Sequence, residues 1–140
     1  MTDNEIELEK LLSWRREVLT EVFGEEPGEN VIQANKEYFE TMPFEATFIS
    51  VGVEEVGCGV VCYQHELPSP DNTSGRCAYL MNIYVRKPYR GRGYGKMIVE
   101  RLIDKARAND CEKITLETTD MARNLYSLCG FKPLENMMIL

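Results

Sequence analysis

Leu8, Leu11, Leu12, Val18, Leu19 and Val22 recur at three- and four-residue spacing, which predicts a first helix ending at Gly24. Glu25-Glu26-Pro27-Gly28-Glu29 reads as a turn or helix start. Val31, Ile32, Asn35, Tyr38, Phe39 and Met42 then outline a second helix, closed by Pro43. From there the period changes. Residues 47–53 and 56–65 are rich in β-branched and aromatic side chains, with Glu54-Glu55 between them as a hairpin turn. A polar loop over 67–75 leads into a strand over 76–85. Met97, Ile98, Leu102, Ile103 and Ala106 mark an amphipathic helix over 94–108. Residues 113–118 alternate as a strand, 121–128 read as a short helix, and 131–140 as a short terminal strand region. Two helices, an antiparallel three-strand meander and then β-loop-α-β-α-β predict one α/β (α+β) domain over residues 1–140.

Composition narrows the class. The chain has 140 residues, 44% of them apolar and 28% charged, as in an ordinary soluble globular domain. No stretch approaches the roughly 18 apolar residues of a membrane span, so no membrane partner is expected. Met1-Thr2-Asp3-Asn4-Glu5 is acidic and carries no secretory signal pattern. Cys58, Cys62, Cys77, Cys111 and Cys129 form no CxxC pair and His65 is the one histidine, so no metal site is expected. Buried free thiols and a cytoplasmic location fit that cysteine usage. Asn72-Thr73-Ser74 matches a glycosylation acceptor, but in this context it reads as loop chemistry.

Charge is uneven. The net charge is −7, yet Arg86, Lys87, Arg90, Arg92 and Lys96 are five of the sixteen basic residues. No acid interrupts residues 86–99. A local basic patch on an acidic chain suits a small polyanion better than a long nucleic acid, so no nucleic-acid partner is expected.

That patch surrounds Arg90-Gly91-Arg92-Gly93-Tyr94-Gly95, at a strand-to-helix junction. Glycines let backbone N–H groups approach a ligand closely, and a helix N-terminus carries partial positive charge. Such a loop is suited to phosphate. About thirty residues on comes Tyr126-Ser127-Leu128-Cys129-Gly130-Phe131.

Arg90-x-x-Gly93-x-Gly95 resembles the pyrophosphate-binding signature of the GNAT superfamily of N-acetyltransferases. Ala122-x-x-x-Tyr126-x-x-x-Gly130-Phe131 is similar to that family's second motif, and the order of elements agrees along nearly the whole chain. The resemblance implies a GNAT-like mixed sheet and transfer of acetyl from acetyl-CoA, as co-substrate, to an amine. It places Ile83, Tyr84 and Val85 against the pantetheine arm. It gives the pyrophosphate to the N–H groups of Arg90, Gly91, Arg92, Gly93, Tyr94, Gly95 and Lys96. Tyr126 then sits beside the sulfur as a proton donor, since a phenol stays protonated at neutral pH. The Val85 N–H would meet the thioester oxygen. Glu117 is the chosen base, with Tyr79, Asn82 and Tyr84 along the proton path.

The chain also departs from the family pattern. Thr119 stands where the family often has a cofactor-binding asparagine, and Asn124 lies in a different register. No candidate for a first strand precedes the first helix, which leaves a sheet edge open and would favour a homodimer. Glu25, Glu26 and Glu29 border the expected acceptor site and hint at a small cationic amine. The alternative is a catalytically silent CoA-binding, sensing or partner-binding module on the same fold. A dinucleotide fingerprint would need Gly-x-Gly-x-x-Gly after a first strand, whereas the spacing here is Gly91-x-Gly93-x-Gly95.

Overall fold

Thr2 starts the first helix. Its Oγ1 accepts the Glu5 N–H at 3.2 Å while the Glu5 carboxylate accepts the Thr2 N–H at 2.7 Å, closing a capping box. The computed structural model, which describes residues 1–140, carries this helix, α1, over Asp3–Phe23. Gly24, at φ 78°, ends it in the left-handed conformation. Leu11, Trp14, Val18 and Leu19 are its buried stripe. α2 follows over Glu29–Thr41.

Four strands form one sheet in the order β1-β2-β3-β4, spanning Phe44–Val51, Glu54–His65, Arg76–Val85 and Lys113–Leu116. β1 and β2 pair antiparallel, as do β2 and β3, whereas β3 and β4 are parallel. A 3-10 turn, Lys87–Tyr89, precedes α3 (Tyr94–Ala108), and α4 spans Arg123–Leu128. α1 covers one face of the sheet through Trp14 and Val18 against Cys58 and Tyr84, and α2 joins it through Phe39 against Phe44. The other face packs under α3 and α4 through Val61, Ala78, Leu80, Ile98, Leu102 and Tyr126. Gly59 makes the close approach of α3 to the sheet workable, because a Cβ there would lie 2.5 Å from Ile98 Cγ2.

Two irregularities shape β3. Cys58 pairs with Tyr84 but Val60 pairs with Met81, so Asn82 and Ile83 together oppose Gly59 in a bulge. Asn82 takes φ 57°, a left-handed conformation that asparagine tolerates better than most residues. The bulge inverts the facing of the strand beyond it, so Ile83 and Val85 join Leu80 on the α3 side and Tyr84 turns to α1. In addition, pairing with β4 stops at Leu80–Leu116, leaving Met81 to Val85 without a partner on that edge. The two strands thus part in a V.

The structure corrects four expected boundaries. The hairpin turn sits at Gly52-Val53, where Gly52 takes φ 62°, and Glu54-Glu55 begin β2. β4 ends at Leu116 because β3 no longer pairs with it there. α4 starts at Arg123, after a turn in which the Ala122 N–H bonds Thr119 O. No terminal strand forms over 131–140, where Pro133 removes a ladder donor. The sheet has no strand before α1, as anticipated.

Candidate active site

The glycine loop presents the strongest feature of the surface. Met97 N–H bonds Gly93 O and later helix donors bond within α3, but the six N–H groups from Gly91 to Lys96 find no acceptor in the protein. Gly91 at φ 76° and Gly93 at φ 87° are what turn these donors outward. Unpaired amides at a helix N-terminus, with Lys87, Arg92 and Lys96 around them, fit a pyrophosphate. Arg90 needs correction on this point. Its N–H is spent on Lys87 O, while its guanidinium bonds the Val85 carbonyl at 2.6 Å and Glu21 at 2.8 Å. Arg90 latches the loop to α1; the open donor run starts one residue later.

The parted strands supply the second feature. Arg86 N–H bonds Val56 O on β2, so by strand alternation the N–H and carbonyl of Val85 point to the opposite, unpaired edge. Ile83 and Val85 direct their side chains into the α3-side core, so it is their backbone that borders the V. Tyr84 packs edge-on against Trp14 at 6.1 Å, with its phenol raised above its ordinary pKa by burial and then by Glu21 and Glu17.

Tyr126 is buried against Phe131 at 6.2 Å, and its hydroxyl takes no protein partner yet is not sealed off. Burial, followed by the neighbouring Cys129, holds the phenol above its ordinary pKa. Tyr126, Tyr79 and Glu117 line one cleft of about 700 Å³. Glu117 is exposed, and its carboxylate is the second cause, after burial, of the raised Tyr79 phenol. The same cleft continues past Leu134 and Met137 along the unpaired outer edge of β4. No residue of Ile83–Val85 or of the glycine loop lines this cleft.

Thr119 is less available than its position suggested. Its Oγ1 accepts the Ala122 N–H at 3.3 Å, supporting the turn into α4. Asn124 is exposed on α4, and its side chain takes no protein hydrogen bond. His65 is exposed at the end of β2, and Asn72 is only 1% exposed in its loop, so the sequon is not presented. Glu25 and Glu26 are exposed, and Glu29 pairs with Arg16 at 3.2 Å.

A residue not singled out from the sequence dominates the other side of β3. A cavity of about 270 Å³ lies between α2 and the sheet, walled by Ala34, Tyr38, Phe39, Val60, Cys62 and Met81. Arg15, Asn35 and Asn82 complete it. Arg15 Nε donates to Asn35 Oδ1 and Nη1 to Asn82 Oδ1, both at 2.9 Å. Its signal in the sequence was an arginine on the apolar stripe of α1, four residues after Leu11 and before Leu19.

A loop of unpaired N–H groups at a strand–helix junction, beside two parallel strands that part, is the arrangement of an acetyltransferase fold. Residues 8–131 match the Acetyltransferase (GNAT) family, and the chain belongs to it. It is similar to glucosamine 6-phosphate N-acetyltransferase 1 of Oryza sativa subsp. japonica, at 35% identity over 57 residues, covering 41% of this chain and 34% of the relative. It is also similar to N-alpha-acetyltransferase 30 of Saccharomyces cerevisiae, at 32% identity over 109 residues, covering 71% and 59%. The chain spans between 34% and 59% of the length of these two curated relatives. Among solved structures, a predicted acetyltransferase with acetyl-CoA from Clostridium acetobutylicum superposes with TM-score 0.85 at 22% identity, covering 99% of this chain and 92% of that one.

Proposed function

We propose that this chain transfers the acetyl group of acetyl-CoA to the primary amine of a small molecule, by direct attack with both substrates bound. The six consecutive unpaired N–H groups from Gly91 to Lys96 carry the proposal, because few other ligands than a pyrophosphate use so many backbone donors at a helix start. Acetyl-CoA supplies a thioester, which an amine attacks without a covalent enzyme intermediate. Holding both reactants in reach provides much of the rate. The Val85 N–H, on the unpaired edge, bonds the thioester oxygen in this reading. Tyr126, kept protonated by burial, gives a hydrogen bond or proton to the departing sulfur. Glu117 receives the amine proton, through water or along Tyr79. Five free cysteines fit a reducing, cytoplasmic setting.

Calorimetry with acetyl-CoA, CoA and NAD tests the reading first. One-to-one binding of both CoA species and none of NAD is expected; no binding of either CoA species sinks it. The turn-bound hydroxyl of Thr119 favours, as a second reading, a module that binds CoA without turnover. Release of CoA thiol in the presence of an amine panel decides between the two.

A further inference from the structure

Arg15 is a cation without a counter-ion. Arg16, Arg76, Arg86, Arg90 and Arg123 each have a carboxylate within 4 Å, on a chain with 23 acidic residues against 16 basic ones. Arg92, Arg101 and Arg107 have none but are exposed to water. Arg15 is half-buried in the 270 Å³ cavity, and burial is the first cause of its lowered pKa. The titratable neighbours are Cys58, Cys62 and Tyr38, all shifted upward by burial and therefore neutral.

The two asparagines orient this guanidinium without neutralising it. They take Nε and one Nη1 hydrogen, and Nη2 is left with no protein partner. Holding a desolvated, unpaired charge in place is costly, so such an arrangement is expected where a ligand supplies the opposite charge. Asn82 also fixes where that ligand points. It is the bulge residue of β3, next to the Ile83–Val85 edge where transfer is placed.

We propose that Arg15 binds a carboxylate on the acceptor, so that the substrate is a small amino-carboxylate with its amine directed toward Ile83–Val85. The inference rests on the acetyl-transfer reading. A planar carboxylate suits a guanidinium fork with few donors left, whereas a phosphate dianion calls for more cations than the one this cavity holds. The apolar wall formed by Phe39, Val60 and Met81 accommodates a short carbon chain.

The test is a thermal-shift titration of the CoA-bound protein with each free amino acid and its decarboxylated amine. Glucosamine 6-phosphate and glucosamine form the phosphate arm. At least one amino acid should stabilise the wild type, with apparent affinity about ten- to hundredfold above its decarboxylated partner. Arg15→Gln should remove that ratio. Asn82→Asp, which places a carboxylate on the intact Arg15, should do the same if Arg15→Gln folds poorly. Equal stabilisation by the decarboxylated amines, no stabilisation by any carboxylate, or an unchanged ratio in both variants would overturn the assignment. So would a stronger preference for the phosphate. Loss of CoA binding itself, measured beforehand, would instead strike the acetyl-transfer reading.

Discussion

Tyr126 and the glycines of the loop make distinct demands at the residue scale. Tyr126→Phe keeps the ring packed on Phe131 and removes only the hydroxyl. We expect acetyl transfer to fall about a hundredfold, the usual scale for one proton donor, with acetyl-CoA affinity unchanged in calorimetry. A retained rate would remove Tyr126 from the mechanism. Glycines fail in two different ways. Nothing lies within 4 Å of a Cβ at Gly93, so Gly93→Ala suffers only from its φ of 87°. It should lose about 1 kcal/mol of stability and weaken CoA binding by misdirecting the amides. Gly59→Ala meets Ile98 and Leu102 and should lose about 1–3 kcal/mol by overpacking. Urea unfolding compares the two, and equal losses would contradict this division. The loop was readable from sequence because its donors and helix start lie within six residues. Arg15 was not, because its partner Asn82 stands 67 positions away and meets it only once α1 lies across β3.

Between elements, the segment joining β2 to β3 responds to acid. Glu66 accepts Lys113 Nζ at 2.9 Å and Asn72 Nδ2 at 3.1 Å, and these bonds, Lys113 first, hold its carboxyl below the ordinary range. A depressed folded pKa gives stabilisation that is present above the unfolded value, about 4.3 for glutamate, and is lost as pH falls through the folded one. Hydrogen exchange at Asn72 and Gly75, corrected for intrinsic rate, should therefore speed up on acidification below about pH 4. Protection that stays constant down to about pH 3 would refute this. The bounds of β3 and α3 were legible because charged, glycine and proline residues frame them. The ends of β4 and the chain beyond Phe131 were not, since a strand exists only where a neighbour pairs with it, and periodicity in one segment does not reveal its neighbour.

For the molecule as a whole, net charge and exposed apolar surface act against each other. At neutral pH the charge of −7 keeps copies apart. Met137, Met138, Ile139 and Leu140 are exposed, and they offer contact once repulsion fades. Light scattering should peak near the isoelectric point of about 4.8, and Met138→Lys with Ile139→Lys should lower that peak. Scattering that is flat across pH would show the segment to be inert. The two helical layers, for their part, have the sheet as their common boundary, and the bulge at Asn82 takes up one extra residue in it. A gene one codon shorter at this position would encode a more regular ladder. Ile83 would then stand alone opposite Gly59, and Tyr84 and Val85 would keep both their partners on β2 and their present faces. What such a deletion removes is the carboxamide that holds Arg15, so the extra residue serves the cavity beside α2 and not the ladder.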